Sequence, residues 1–173
     1  MTKFLVIFLL VWSIPAFAEM PQNYPNELDG FRGIKWGDNI KHVKGMELDT
    51  MSKDDKDTVL YKRSEDSLIM GDAKLRLILY RAWRDKFNGV IITFGDRANW
   101  DKLKAVLFER FGPGVKHNYM QDSFAWFGDK TVITIEYNDV SGEGTLIFRS
   151  KKIAVESEAY IKKRAKENAS KGF

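Results

Sequence analysis

Lys74-Leu-Arg-Leu-Ile-Leu-Tyr-Arg-Ala-Trp-Arg84 is followed at once by Asp85-Lys-Phe-Asn-Gly89 and then by Val90-Ile-Ile-Thr-Phe94. Leu75, Leu77 and Leu79 alternate with Arg76, Ile78 and Tyr80, the period of a strand with one buried face. Asp85 to Gly89 supplies a turn ending in Asn-Gly, and Val90, Ile92 and Phe94 alternate on the way back. A connection this short forces the two strands to be antiparallel, because a parallel pair needs a crossover of a dozen or more residues. In this phase the three leucines point to the core, and Arg76, Ile78 and Tyr80 point outward.

Downstream, Asn99 is placed to cap a helix whose Trp100, Leu103, Val106, Leu107 and Phe111 share one face, and Gly112-Pro113-Gly114 stops it. Strands are expected at residues 123–127, 131–137 and 145–148, with Gly128-Asp129 as a hairpin step. Residues 155–168 read as a helix. Its Lys162, Lys163, Arg164 and Lys166 are interleaved with Glu156, Glu158 and Glu167, a solvated face with cations towards the C-terminal end. Upstream, residues 58–63 form a strand, the polar run at 52–57 a loop, and Asp38 caps a brief helix carrying Ile40 and Val43. Before it, Phe31 to Gly37 is a short extended piece. The class is therefore α+β: antiparallel meanders with about three helices on one face. A helix followed by strands occurs twice, so the order also admits two helix-plus-sheet units in tandem. That order is similar to the β-lactamase-inhibitor-protein-like architecture, a likeness of fold that carries no function.

The N-terminus sets the expected compartment. Met1-Thr2-Lys3, an apolar run from Phe4 to Trp12 and the exit Ala16-Phe17-Ala18 make a secretory signal cleaved after Ala18. The run is short of the roughly 20 apolar residues that span a bilayer, and no later stretch reaches that length. The expectation is residues 1–18 as signal peptide, 19–30 as a flexible leader and 31–173 as one domain, in a soluble periplasmic protein. The chain has 173 residues, 44% hydrophobic and 30% charged, a balance that supports one folded core. Its formal net charge is +4. Positives mixed with acids do not make a nucleic-acid surface. Exported bacterial proteins can do without disulfides, and this chain has no cysteine. Thiolate nucleophiles, Cys-ligated metal and lipidation at Cys are excluded with it.

Chemistry-bearing motifs are sparse. His42 and His117, the two histidines, each sit beside lysine, which disfavours a metal site. The run Asp54-Asp55-Lys56-Asp57 lacks the oxygen ligand and glycine a calcium loop needs at its fifth and sixth positions. Gly30, Gly33 and Gly37 miss the dinucleotide spacing, Gly142-Glu143-Gly144 is a hairpin loop, and no nucleophile elbow is present. No catalytic residue, metal ligand or cofactor is therefore expected. Glu136 with Asp139, or Asp122 with Asp129, are the carboxylate pairs that could converge for hydrolysis. The outward sheet face is more informative. It would carry Arg76, Ile78 and Tyr80, with Ile91, Thr93, Val132, Thr134, Ile147 and Arg149 on neighbouring strands. Aromatic and arginine side chains are enriched where proteins meet partners. Arg76, Tyr80, Arg149 and Trp83, near the hairpin tip, are the candidate contact residues. The expected function is non-catalytic binding of an envelope protein. The alternatives are a small-molecule binder with an apolar cavity between sheet and helices, and a carboxylate-dependent hydrolase.

Phe31-Arg-Gly-Ile-Lys-Trp-Gly37, with Val43-Lys44 after it, resembles the opening of an uncharacterised family of small exported bacterial proteins. Tyr61-Lys-Arg63, Trp100 to Gly112, Trp126-Phe-Gly128 and Ile147-Phe-Arg-Ser-Lys-Lys152 look like the same family. The resemblance implies the periplasm and a single domain, and it brings no catalytic or binding residues.

Overall fold

A computed structural model describes residues 24–51, 57–116 and 122–170. The expected signal peptide, His117 and most of the acidic run at 52–57 lie outside the described residues. Two small strands open the fold, β1 (Gly30–Phe31) and β2 (Ile34–Lys35), followed by a 3-10 turn at Ile40–His42. Next come β3 (Met46–Met51), β4 (Thr58–Arg63), the short pair β5 (Ile69–Met70) and β6 (Ala73–Lys74), then β7 (Leu77–Trp83) and β8 (Lys86–Gly95). Helix α1 (Arg97–Phe111) leads into β9 (Val115–Lys116), β10 (Asp122–Phe127), β11 (Thr131–Asn138) and β12 (Glu143–Ser150), and α2 (Lys151–Ala169) closes the chain. The class is α+β with a large antiparallel sheet, as the alternation implied. Among the described residues there are two α-helices rather than three: the segment behind Asp38 closes only one 3-10 turn, capped by the Asn39 side chain.

The sheet has eight strands in the order β3-β4-β7-β8-β12-β11-β10-β9. Two meanders thus meet through their last strands, with Val90 opposite Phe148 and Ile92 opposite Leu146. One face is almost wholly apolar. A row of Tyr61, Tyr80, Val90, Phe148, Ile133 and Trp126 runs across it, and beside it Ile78, Ile92, Leu146, Ile135 and Phe124. Helix α1 covers one half of this face. Trp100 packs 5.8 Å from Tyr137 and Phe108 packs edge-on to Phe124 at 5.0 Å. The β1–β2 hairpin covers the other half: Phe31 lies against Phe148 and Tyr80, and Trp36 against Phe87 at 4.8 Å.

The phase of β7 is opposite to the one its leucines suggest. Ile78 and Tyr80 are buried at 3% and 0% exposure, while Leu77 and Leu79 stand half-exposed on the far face. Side chains alternate with period two, so a one-residue choice of phase turns the whole strand over. Arg81 decides it, because the leucine phase inward would carry its guanidinium into the core. The turn also falls earlier than Asn88-Gly89. Arg84 and Asp85 both have positive φ, 50° and 66°, and form a two-residue hairpin loop. Asn88 becomes the extra residue of a bulge, and Gly89 pairs with both Arg81 and Arg149. Helix α1 likewise starts earlier than Asn99. Asp96 is the cap and its carboxylate accepts the Asn99 N–H at 2.8 Å.

The segment at 24–30, expected to be a flexible leader, is tied down. Tyr24 Oη donates to the Thr131 carbonyl, Glu27 Oε1 accepts from the Lys130 and Thr131 amides, and Tyr24 packs on Phe111.

Across the seam, Phe94 and Tyr137 stack at 6.4 Å over Gly144, which lies between them in register. A Cβ on Gly144 would fall inside the Phe94 ring. Gly144→Ala is therefore expected to lower stability by about 1–3 kcal/mol, the usual cost of overpacking. Urea unfolding checks it, and an unchanged midpoint would show that the seam tolerates a methyl group.

Candidate functional site

The far face of the sheet is built of rows whose centre is apolar. Leu79, Ile91, Ile147 and Thr134 stand side by side, flanked by Leu77, Thr93 and Thr145 on one side and by Arg81, Gly89 and Arg149 on the other. These side chains other than Gly89 and Arg149 are half-exposed, and Arg149 is exposed. The outward set expected on β8, β11 and β12 is in place, so only β7 contributes different residues. Helix α2 lies at the end of this face, holding Arg149 through Glu158 at 3.8 Å and Lys86 through Glu156 at 2.8 Å. The latter contact is chiefly a hydrogen bond, and it holds the Glu156 carboxyl below its ordinary range.

The four candidate contact residues separate. Arg76 is exposed, its guanidinium over Gly95 and paired with Glu143 at 3.1 Å. Arg149 is exposed on the same face. Trp83 is 4% exposed, closed over by Tyr160 of α2 at 5.7 Å, so the hairpin tip does not present it. Tyr80 is fully buried and points to the core. Its phenol donates to Asp66 Oδ2 at 2.6 Å, and Arg32 donates to the other oxygen of that carboxylate at 2.5 Å. Tyr80 is a structural cross-link between β7, the β1–β2 hairpin and the loop before β5.

Of the clefts among the described residues, two lie against the elements that cover the sheet. One, of about 370 Å³, lies between the β1–β2 hairpin and α1. Phe31 and Phe148 form one wall, Val106, Leu107 and Phe111 the other, and Arg32 and Arg110 stand among the lining residues. Nothing in the periodicity of the sequence marks it, because it is assembled from a hairpin and a helix some 75 residues apart. The other, of about 530 Å³, runs between Trp36 and the start of α2, where Lys86, Lys130 and Lys152 are mixed with Asp29, Asp129 and Glu156.

Neither expected carboxylate pair forms a catalytic dyad. Asp122 and Asp129 occupy opposite ends of the β10 region, and Glu136 is exposed on the far face. Asp122 is brought instead to Asp139, and Arg97 binds both, at 2.5 and 3.1 Å. The Asp122 hydrogen bond raises the already high pKa of Arg97. His42 is exposed, and among the described residues no group of three or more His, Cys, Asp or Glu could hold a metal ion. Among them also, no helix is long and apolar enough to cross a membrane. No family model, curated protein or solved structure matches the chain.

Burial pushes the Tyr80 phenol well above its ordinary pKa of about 10, and the Asp66 hydrogen bond adds to the rise. Because the folded value is raised, the contribution is complete below about pH 10 and is lost as pH climbs past it. Tyr80→Phe is expected to remove about 1.5–3 kcal/mol at neutral pH, the range for a hydrogen bond to a charged group. It should also make the alkaline loss of stability shallower. Unfolding free energies measured from pH 7 to 11 check both, and an unchanged alkaline slope would show that Tyr80 ionises freely.

Proposed function

We propose that the protein is an exported bacterial envelope component that binds another protein on the far face of its sheet. The observation that carries this reading is the half-exposed strip of Leu77, Leu79, Ile91 and Ile147 with charged residues at its rim. An apolar centre with a polar, arginine-bearing edge is the anatomy of a protein interface. The strip lies on an open sheet face and lines none of these clefts, so an extended protein surface fits it better than a small molecule does. The N-terminal charge, apolar run and Ala-x-Ala exit support export, and so does the resemblance carried by Phe31 to Gly37. Binding is preferred to catalysis because the carboxylates that do converge, Asp122 and Asp139, are both engaged by Arg97.

The full chain expressed in a Gram-negative host should be recovered from the periplasm starting at Glu19; a product that keeps residues 1–18 in the cytoplasm would refute export. For the interface, a photo-crosslinking residue at Ile147 should give one discrete protein adduct in an envelope fraction. Excess unlabelled wild type should compete it away. The double variant Leu79→Thr with Ile91→Thr should not, while its far-ultraviolet spectrum stays native. No adduct, or equal competition by the variant, would sink the proposal.

A second reading, a small-molecule binder, is favoured by the cleft of about 370 Å³, which falls within the usual range of about 300–1,000 Å³ for ligand pockets.

A further inference from the structure

The cleft between the β1–β2 hairpin and α1 has a directional chemistry. Its walls are aromatic and aliphatic, with Leu28 and Met70 completing them, and the polar side chains among its lining residues are two arginines. Those arginines are not equivalent. Arg32 is engaged by the protein: it binds Asp66 at 2.5 Å and donates to the carbonyls of Ser67 and Ile69 at 2.7 and 3.1 Å. Its charge is matched by the carboxylate, and it serves to pin the hairpin that forms one wall.

Arg110 is exposed on the last turn of α1, and its guanidinium lies 5.5 Å from the centre of the Phe111 ring. Among the described residues no carboxylate lies within ion-pair distance of it. A helix C-terminus would ordinarily repel an anion, because its last carbonyls carry partial negative charge. Here several of those oxygens are occupied. The Arg110 carbonyl accepts from Asn26 Nδ2, the Phe108 carbonyl from the Gly112 amide, and the Gly112 carbonyl from Trp126 Nε1. These three oxygens are thus spent on the protein, and the guanidinium keeps donors for a ligand. A planar guanidinium with open N–H donors suits a carboxylate or phosphate, which it can bind at two points.

We propose that the cleft binds a single-chain anionic amphiphile, with its aliphatic chain between Phe31, Phe148 and Leu107 and its head group on Arg110. This rests on the second reading above, since it presumes that the cleft is a ligand site. Fatty acids and lysophospholipids share the chemistry of one chain and one anionic head.

The test uses the full protein in detergent-free buffer with three probes of equal chain length, dodecanoate, dodecanol and dodecyltrimethylammonium, and with dodecyl phosphate to compare head groups. Dodecanoate should bind saturably, one to one, and raise the melting temperature, because a ligand that binds only the folded state stabilises it. Dodecanol and the cationic probe should bind at least tenfold more weakly. Arg110→Glu should weaken dodecanoate at least tenfold without changing the melt of the free protein, and Met70→Trp, which fills the cleft, should abolish its binding. Dodecyl phosphate binding more tightly than dodecanoate would assign a lipid phosphate as the head group, and the reverse order a fatty acid. If all three chains bind alike and Arg110→Glu has no effect, the cleft is a ligand site and the assignment of an anion fails. If none binds saturably, or Met70→Trp binds like wild type, the cleft reading falls with it.

Discussion

The antiparallel seam between β8 and β12 is the constraint on which the rest of the molecule depends. Each meander alone would leave an edge strand with unpaired backbone groups. Joined at their last strands, the meanders bury both edges in the middle of one sheet, from Gly95 opposite Glu143 to Gly89 opposite Arg149. The seam admits no freedom of register. Gly144 must lie under the Phe94–Tyr137 stack, and a Cβ at Gly89 would meet the Phe148 carbonyl oxygen at 2.9 Å. With those two glycines fixed, Val90, Phe148, Ile92 and Leu146 fall on the same side, and that side becomes the core. The outer edge strand β3 is treated differently: it carries a bulge after Leu48 and an ion pair between Asp49 and Lys62, both of which discourage pairing with another chain.

Much of this was legible in the sequence, and the exceptions share a cause. Strand β4 matches its expected bounds, and the last three long strands and both helices were found within a few residues. In β11 and β12 the opposite phase holds mostly polar residues, with Val132 and Ile147 the apolar exceptions, so the inward phase stands out. In β7 both phases are apolar from Leu77 onward, and the pattern alone does not choose. What chooses is Arg81, together with the partner that Tyr80 finds in Asp66, fourteen residues earlier. The turn was misplaced for a related reason. Asn88-Gly89 is a strong local turn signal, yet Arg84 and Asp85 take the positive φ values, because β12 needs Gly89 beside it. Tyr80 and Trp83 have the chemistry of contact residues but are buried, Tyr80 by its register and Trp83 by Tyr160. Arg76 and Arg149 remain at the surface, and Ile91, Thr93, Val132, Thr134 and Ile147 are where alternation put them.

The motif Phe31-Arg-Gly-Ile-Lys-Trp-Gly37 has a structural reason to exist whatever the protein binds. Helix α1 covers the core face where Tyr137, Phe124 and Trp126 lie, and the described residues hold no third α-helix to cover Tyr80, Phe87 and Phe148. The motif takes its place. Phe31 and Ile34 are buried at 8% and 4% exposure, and Trp36 donates its indole N–H to Thr131 Oγ1 at 2.7 Å. A seven-residue hairpin is too short to be stable alone, so it is held at both ends. Arg32 bonds to Asp66 on one side. On the other, Trp36 Nε1 donates to Thr131 Oγ1, which in turn donates to the Leu28 carbonyl.

That substitution has a geometric consequence for function. A third helix would have offered a continuous stripe of side chains to pack against α1 along its length. A clamped hairpin meets α1 only in part, and the remaining space, walled by Phe31 and Phe111, is the cleft. The same economy acts on the far face, where neither helix spans the centre and Leu79, Ile91 and Ile147 stay half-exposed. Both candidate surfaces follow from one feature, a large sheet served by few helices. They differ in kind: the cleft is walled by apolar side chains with Arg110 among them, and the far face is an open sheet surface. The first suits a chain-like ligand and the second a protein surface, and one molecule has room for both.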